Sequence, residues 1–217
     1  MDLLRTNPKP RNLRGYFFYP IIMKANILGA KILYEGFLKL RQLHVEFLSP
    51  FGKKVDHRYE VIDQANSAAC LLWHSDKRAF ILVKQFRAPV AETNPTQLIE
   101  IPAGRIEKNE KAESCIRREL REETGFTVSN IKYLGSYWLS PGASNERITL
   151  FFAEATKKEK MEKGGGKKDE HEFIQITELS LSSFYELLRQ EKSLDAKTIL
   201  AFLLAKEKGL LPTSNGE

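Results

Sequence analysis

The sequence predicts an α/β (α+β) fold: a mixed β-sheet sandwiched between helices and preceded by an antiparallel strand extension. Three observations point there. Period-two alternation of apolar and polar residues recurs from residue 27 to residue 62 and again on both sides of the chain's middle. The period switches to a helical one over 111–124, where Ala112, Ile116 and Leu120 fall on one face and Gly125 stands at the stop position. Two further helical runs, 182–190 and 196–208, close the chain.

Taken in order, the first 22 residues carry Arg11 and Arg14 ahead of Tyr16-Phe17-Phe18-Tyr19, which imitates a basic leader. That apolar stretch is short, is broken by Pro20 and meets Lys24 at once, so it suits neither a membrane span nor a signal peptide. Residues 1–22 therefore read as a disordered or non-native start, with Met23 as the working one. Strands are expected at 27–34, 38–48 and 54–62, the last two separated by the turn Ser49-Pro50-Phe51-Gly52. A hairpin follows, with arms 68–74 and 79–86 around Ser75-Asp76-Lys77-Arg78, and then a short strand at 97–101. Past the central helix come strands at 131–139, 147–155 and 173–176. This divides the chain into a strand extension at 23–62, one main domain at 63–211 and a frayed tail at 212–217.

A net charge of +6 favours anionic partners, but it does not choose among them. No stripe of lysine and arginine interleaved with aromatics is present, so a nucleic-acid partner is not expected. No run approaches the roughly 18 apolar residues of a membrane span. Cys70 and Cys115 lie in an apolar run and a charged helix, which argues against a framework disulfide and for the reducing cytoplasm. The four histidines show no ligand spacing, so zinc is not expected. Trp73, Trp138 and Phe151-Phe152 sit in strand patterns and read as core.

The chemistry is concentrated in the central helix. Glu119, Glu122 and Glu123 are spaced i, i+3 and i+4, so they share one helix face and repel one another. Three acids alone would read as a solvated face. The rest of the pattern overturns that: Gly104 before the helix, Glu110 six residues on, Arg118 beside the acids and Gly125 after them. Together these match G-x5-E-x7-R-E-U-x-E-E-x-G-U, with U apolar, and resemble the Nudix box. Its seven fixed positions would coincide by chance on the order of once in 10⁸ windows.

The resemblance implies a Nudix fold, a pyrophosphatase activity and Mg²⁺, or Mn²⁺, with two or more ions held by Glu119, Glu123 and the carbonyl of Ala103. Glu122 is then a nearby ligand or proton acceptor, and Arg118 with Glu110 orients the acids. The flanks resemble the ADP-ribose and nucleotide-sugar branch. Gln85-Phe86-Arg87 is similar to its Q-x-R strand end, and Glu100-Ile101-Pro102-Ala103-Gly104 to its E-x-P-A-G entry. Ser140-Pro141-Gly142, with Glu146 behind it, is similar to its S-P-G turn. The loop from Gly164 carries Glu170, the candidate general base, and Glu172, a further metal ligand, while Leu194 to Thr198 resembles the closing helix. Arg87, Arg105, Ser140, Gly142 and Glu146 are the expected substrate contacts.

The implied reaction cleaves ADP-ribose to AMP and ribose 5-phosphate. Tyr137-Trp138 and the triple glycine lean instead toward nucleotide sugars, which keeps a UDP- or GDP-sugar as the rival substrate. An ADP-ribose sensor is the rival outside catalysis, and it would have no use for all three box acids. In the resembling branch N-terminal strands exchange between subunits, so a homodimer is expected.

Overall fold

The computed structural model describes residues 24–93, 97–167, 173–190 and 194–212. Strands β1 (Ala25–Glu35), β2 (Lys39–Leu48) and β3 (Lys54–Asp63) make a separate antiparallel sheet. The β2–β3 turn forms where the sequence placed it: Gly52 takes φ of 74° and its N–H donates to the Ser49 carbonyl at 2.9 Å. Glycine enters this left-handed region without the steric cost other residues meet.

A seven-stranded mixed sheet follows, built from β4 (Ser67–His74), β5 (Ala79–Gln85), β6 (Leu98–Glu100), β7 (Ala103–Arg105), β8 (Ile131–Trp138), β9 (Arg147–Ala155) and β10 (Gln175–Ser180). Its order is β10-β5-β4-β9-β8, with β6 paired to β5 and β7 to β4. Among the described strands β4 and β9 run parallel, from Ser67 opposite Ile148 to His74 opposite Ala155, and the other pairings are antiparallel. Both are central, and β4 is buried at every residue, which is why its sequence is a continuous apolar run rather than an alternation.

Helices cover both faces. Ala68, Cys70 and Leu72 of β4 point toward α1 (Ala112–Glu119) and meet Cys115, Ile116 and Leu120. Ala69, Leu71 and Trp73 point the other way, toward Phe184 of α2 (Leu181–Gln190) and Phe202 of α3 (Ala196–Glu207). Phe184 stacks on Phe202 with centroids 4.5 Å apart, and Phe80 lies 5.1 Å from Phe184. The expected sheet between helices is thus the observed one.

Four details differ from the sequence reading. The expected helix over 111–124 is α1 followed by a π-helical turn, Leu120–Thr124. The buried Thr124 hydroxyl donates to the Leu120 carbonyl, taking the place a backbone N–H has in an α-helix. The last strand is Gln175–Ser180 rather than 173–176, because Phe173 is exposed and the pairing with β5 continues to Ala79. Ser180 then ends it by accepting the Ser183 N–H at the start of α2. Trp138 is not core: it is 55% exposed, with the Arg147 guanidinium 5.1 Å over its ring, and Tyr137 turns inward in its place. The short strand β7 is new, since its three residues carry no periodicity to read.

The two sheets are joined by hydrogen bonds at the end of β3. Ile62 N–H donates to the Ala143 carbonyl at 2.8 Å, Gln64 N–H to Asn145 Oδ1 at 2.8 Å, and Asn145 Nδ2 to Asp63 Oδ1 at 2.6 Å. Among the described residues no helix is long and apolar enough to cross a membrane.

Candidate active site

The acid-bearing helix is held against the start of β4 by β7. Ser67, Ala68 and Ala69 pair with Arg105, Gly104 and Ala103, and Cys70 N–H donates to the Pro102 carbonyl at 3.0 Å. This lays Ala103-Gly104 across the carboxylates. A Cβ on Gly104 would lie 1.8 Å from Glu119 Oε1, so a larger residue here would displace the Glu119 carboxylate. Ala103 N–H donates to Glu123 Oε2 at 3.1 Å. Glu119 and Glu123 are 7% and 3% exposed, which is rare for carboxylates unless they are paired or ligating.

Arg118 is the counter-charge. Its Nη1 reaches Glu119 Oε1 at 2.6 Å and Glu122 Oε2 at 3.2 Å, and its Nε and Nη2 reach both oxygens of Glu110 at 3.2 Å. Its hydrogen bonds hold the Glu110 carboxyl below the ordinary carboxylate range. Arg118 thus bridges Glu110 to Glu119 and Glu122. Glu122 also meets Lys167 Nζ at 3.3 Å. Behind the helix, Cys115 Sγ lies 3.2 Å from the Arg105 carbonyl; burial, with the charges of Glu110 and Glu119, pushes this thiol up to about 12.

Beside the acids is a cavity of about 200 Å³ lined by Ser67, Arg87, Ala103, Gly104, Arg105, Leu139, Glu146, Ile148 and Lys197. Of the expected substrate contacts, Arg87, Arg105 and Glu146 line it. Ser140 and Gly142 are exposed in the β8–β9 loop and do not, and that loop offers Leu139 and Glu146 to the cavity instead. Ser67 Oγ donates to Glu146 Oε1 at 2.6 Å. Phe37, from the β1–β2 turn, lies 4.9 Å from the Arg105 guanidinium.

Arg87 does not stand alone. Its Nε and Nη2 grip both oxygens of Glu100 at 2.7 and 3.0 Å, and Glu100 also accepts from Lys197, which in turn pairs with Asp195. Burial by itself would raise the Glu100 carboxyl; the Arg87 hydrogen bonds and the Lys197 charge outweigh it and hold the group below its ordinary range. Asp195 caps α3 by accepting the Thr198 N–H at 3.1 Å, and Thr198 Oγ1 accepts the Ile101 N–H at 2.9 Å. The capped start of α3 is therefore docked on the strand that carries Glu100. Ser67 and Lys197 were not singled out from the sequence. The run Asp195-Ala196-Lys197-Thr198 was legible as a helix start, but the side it turns to the cavity was not.

Glu170 and Glu172 lie outside the described residues. Among the described residues no group of three or more His, Cys, Asp or Glu side chains is gathered in a metal-binding arrangement. What the helix does offer is carboxylate oxygens, those of Glu119, Glu122 and Glu123, beside the backbone at Ala103. This donor chemistry fits a hard divalent cation rather than a soft one.

The chain has relatives among known proteins. The chain is 35% identical over 191 residues to the GDP-mannose pyrophosphatase of Cronobacter sakazakii, covering 87% of this chain and 98% of that protein. It is 37% identical over 176 residues to the GDP-mannose pyrophosphatase of Salmonella arizonae, covering 80% and 91%. A solved ADP compounds hydrolase shares the fold, with a TM-score of 0.66 at 19% identity over 86% of this chain and 95% of the other. The NUDIX domain family matches residues 63–202, a span that holds β7, the acid-bearing helix and every cavity residue named above, and the chain belongs to that family.

Proposed function

We propose that this enzyme hydrolyses the pyrophosphate bond of nucleoside diphosphate sugars, with GDP-mannose the first candidate substrate and ADP-ribose the second. The observation that carries the reading is the pair of buried carboxylates, Glu119 and Glu123, closed over Ala103-Gly104 at the edge of a cavity whose other charges are mostly cationic. GDP-mannose is placed ahead of ADP-ribose because relatives at 33–37% identity carry that activity in their names. Cleavage would release GMP and mannose 1-phosphate, or AMP and ribose 5-phosphate.

In this scheme Glu119, Glu123, the Ala103 carbonyl and Glu172 hold Mg²⁺ or Mn²⁺, two ions or more. When bound, the metal neutralises phosphoryl charge and makes a water more acidic. Glu170 is the candidate base for that water, and Glu122 a further acceptor. Arg87, pinned by Glu100, presents its guanidinium to a phosphate, and Arg105 supplies a second cation. Ser140 and Gly142 shape the turn that brings Glu146 to the substrate's distal hydroxyls.

Residues 23–62 serve as the dimerisation extension and 63–211 as the catalytic domain. Supporting this, β1 is exposed at all 11 residues, including Ile27, Leu28, Ile32 and Tyr34. Its outer edge has no strand partner among the described residues. Such edges are normally paired or covered, and a second copy of the chain, exchanging strands, would cover this one. Two free, buried cysteines accord with a cytoplasmic setting.

The test is phosphate release coupled to alkaline phosphatase across GDP-mannose, ADP-ribose, UDP-glucose and diadenosine polyphosphates, with Mg²⁺ and with EDTA. Metal-dependent turnover of a sugar nucleotide is expected. Activity confined to the diadenosine polyphosphates, or unaffected by EDTA, would overturn the proposal.

A further inference from the structure

A helix normally leaves its last four carbonyls without partners. At the end of the acid-bearing helix all of them are filled, and by a single segment about 40 residues downstream. Gly166 N–H donates to the Glu122 carbonyl at 3.1 Å and Gly165 N–H to the Glu123 carbonyl at 2.8 Å. Lys160 Nζ donates to the Thr124 carbonyl, and Met161 and Glu162 N–H donate to the Gly125 carbonyl at 2.9 and 3.1 Å. Lys160 also lies 5.0 Å over the Phe126 ring and donates to the Lys163 carbonyl at 3.3 Å. The segment ends at Lys167, whose ammonium pairs with Glu122.

The sequence of this segment is what lets it dock. Gly164, Gly165 and Gly166 all take positive φ, at 72°, 109° and 77°. A Cβ on Gly164 would lie 2.6 Å from the Thr124 carbonyl carbon and 2.7 Å from the Glu123 oxygen. A Cβ on Gly125 would lie 2.1 Å from the Glu162 oxygen. Two glycines from distant parts of the chain therefore meet backbone to backbone, where any side chain would push the surfaces apart. The π-helical turn makes the clasp consequential, since a widened turn lacks the full α-helical ladder that would otherwise fix its register.

We propose that residues 160–167 are a clasp that sets the position of the Glu122 and Glu123 carboxylates by gripping their own backbone carbonyls, with Lys160 and Gly164 as positioning residues for the hydrolytic reaction. This rests on the function proposed above. Neither residue is among those lining the cavity, and both meet the backbone at the helix end instead. Loosening the clasp shifts the acids by a fraction of an ångström relative to Ala103, and misplacements of about 1 Å cost roughly 10²-fold in rate.

The experiment compares wild type with Gly164→Ala, Lys160→Met and Lys160→Arg. Each is read for kcat and KM on the preferred sugar nucleotide, for Mn²⁺ affinity by electron paramagnetic resonance without substrate, and for Tm. Gly164→Ala and Lys160→Met are expected to lower kcat about 10- to 100-fold with KM nearly unchanged, and to weaken Mn²⁺ binding; Lys160→Arg, which keeps a donor, is expected to recover most of both. Variants that lose Tm yet keep wild-type kcat and Mn²⁺ affinity would overturn the clasp and leave a purely structural loop. A wild type that binds Mn²⁺ but turns over no sugar nucleotide would count against the proposed function, and the Mn²⁺ series would still decide the clasp. Should Gly164→Ala fail to fold, the Lys160 pair carries the same decision.

Discussion

Glu100→Gln removes the one negative charge that both Arg87 and Lys197 contact. The Glu100 side chain is 3% exposed and Lys197 is 11% exposed, while Arg87 is 41% exposed. The substitution keeps the shape but leaves two cations facing a neutral amide. Breaking a buried pair costs about 3–5 kcal/mol, and the solvent around Arg87 discounts its share, so about 3 kcal/mol is expected. For a domain of this size that is a fall in Tm of about 6–12 °C, read by circular dichroism. The dependence on pH has a definite sign. Glu100's folded pKa is lowered, so its stabilisation is present above the ordinary carboxyl value of about 4.3 and is lost as pH falls through the lower folded value. The gap between wild type and Glu100→Gln should thus be widest at neutral pH and narrow in acid. A double-mutant cycle with Lys197→Met should show strong coupling, because the two side chains touch. A Tm loss under about 3 °C, or a gap that widens in acid, would refute the view that this network is held by charge.

Glu123→Gln is expected to reduce sugar-nucleotide turnover by about 10²-fold or more while leaving Tm unchanged or raised, since one of three crowded acids is neutralised; paired activity and melting assays check both. Lys197→Met should raise KM more than it lowers kcat, measured on the preferred substrate, because the lysine lines the cavity and is not one of the box acids. Cys70 and Cys115 are fully buried with their thiols pushed up by burial, so iodoacetamide at about pH 8 should label neither in the native enzyme and both in urea, as mass spectrometry would show. Deleting residues 24–35 should convert a dimer to a monomer by light scattering.

The site was legible where sequence position and spatial position coincide. Glu119 and Glu123 are one turn apart on one helix, and Gly104 is separated from that helix by a short loop, so spacing alone brought them together. Gly125 was readable as a helix stop, and it takes φ of 75°. What spacing could not reveal was anything built by long-range docking. Ser67 and Glu146 meet across 79 positions, and Lys197 reaches Glu100 across 97. Trp138 misled because an exposed aromatic and a buried one look alike in a strand whose register slips between Tyr133 and Gly135. The π-helical turn left no mark at all, because its residues have the same helical periodicity as those of α1.

The seam between the two sheets bears on how the molecule responds to dilution. The N-terminal sheet joins the sandwich through a few hydrogen bonds at Ile62 to Gln64 and the contact of Phe37 with Arg105, while its first strand stays exposed along its whole length. A three-stranded sheet with so little covered surface holds its order weakly by itself. Under the proposed pairing, that order is supplied by the second chain and therefore follows mass action. Amide exchange in β1 should then quicken as protein concentration falls, while β4 and β9 keep their protection, so that one polypeptide carries two clocks, only one of which depends on how many copies surround it.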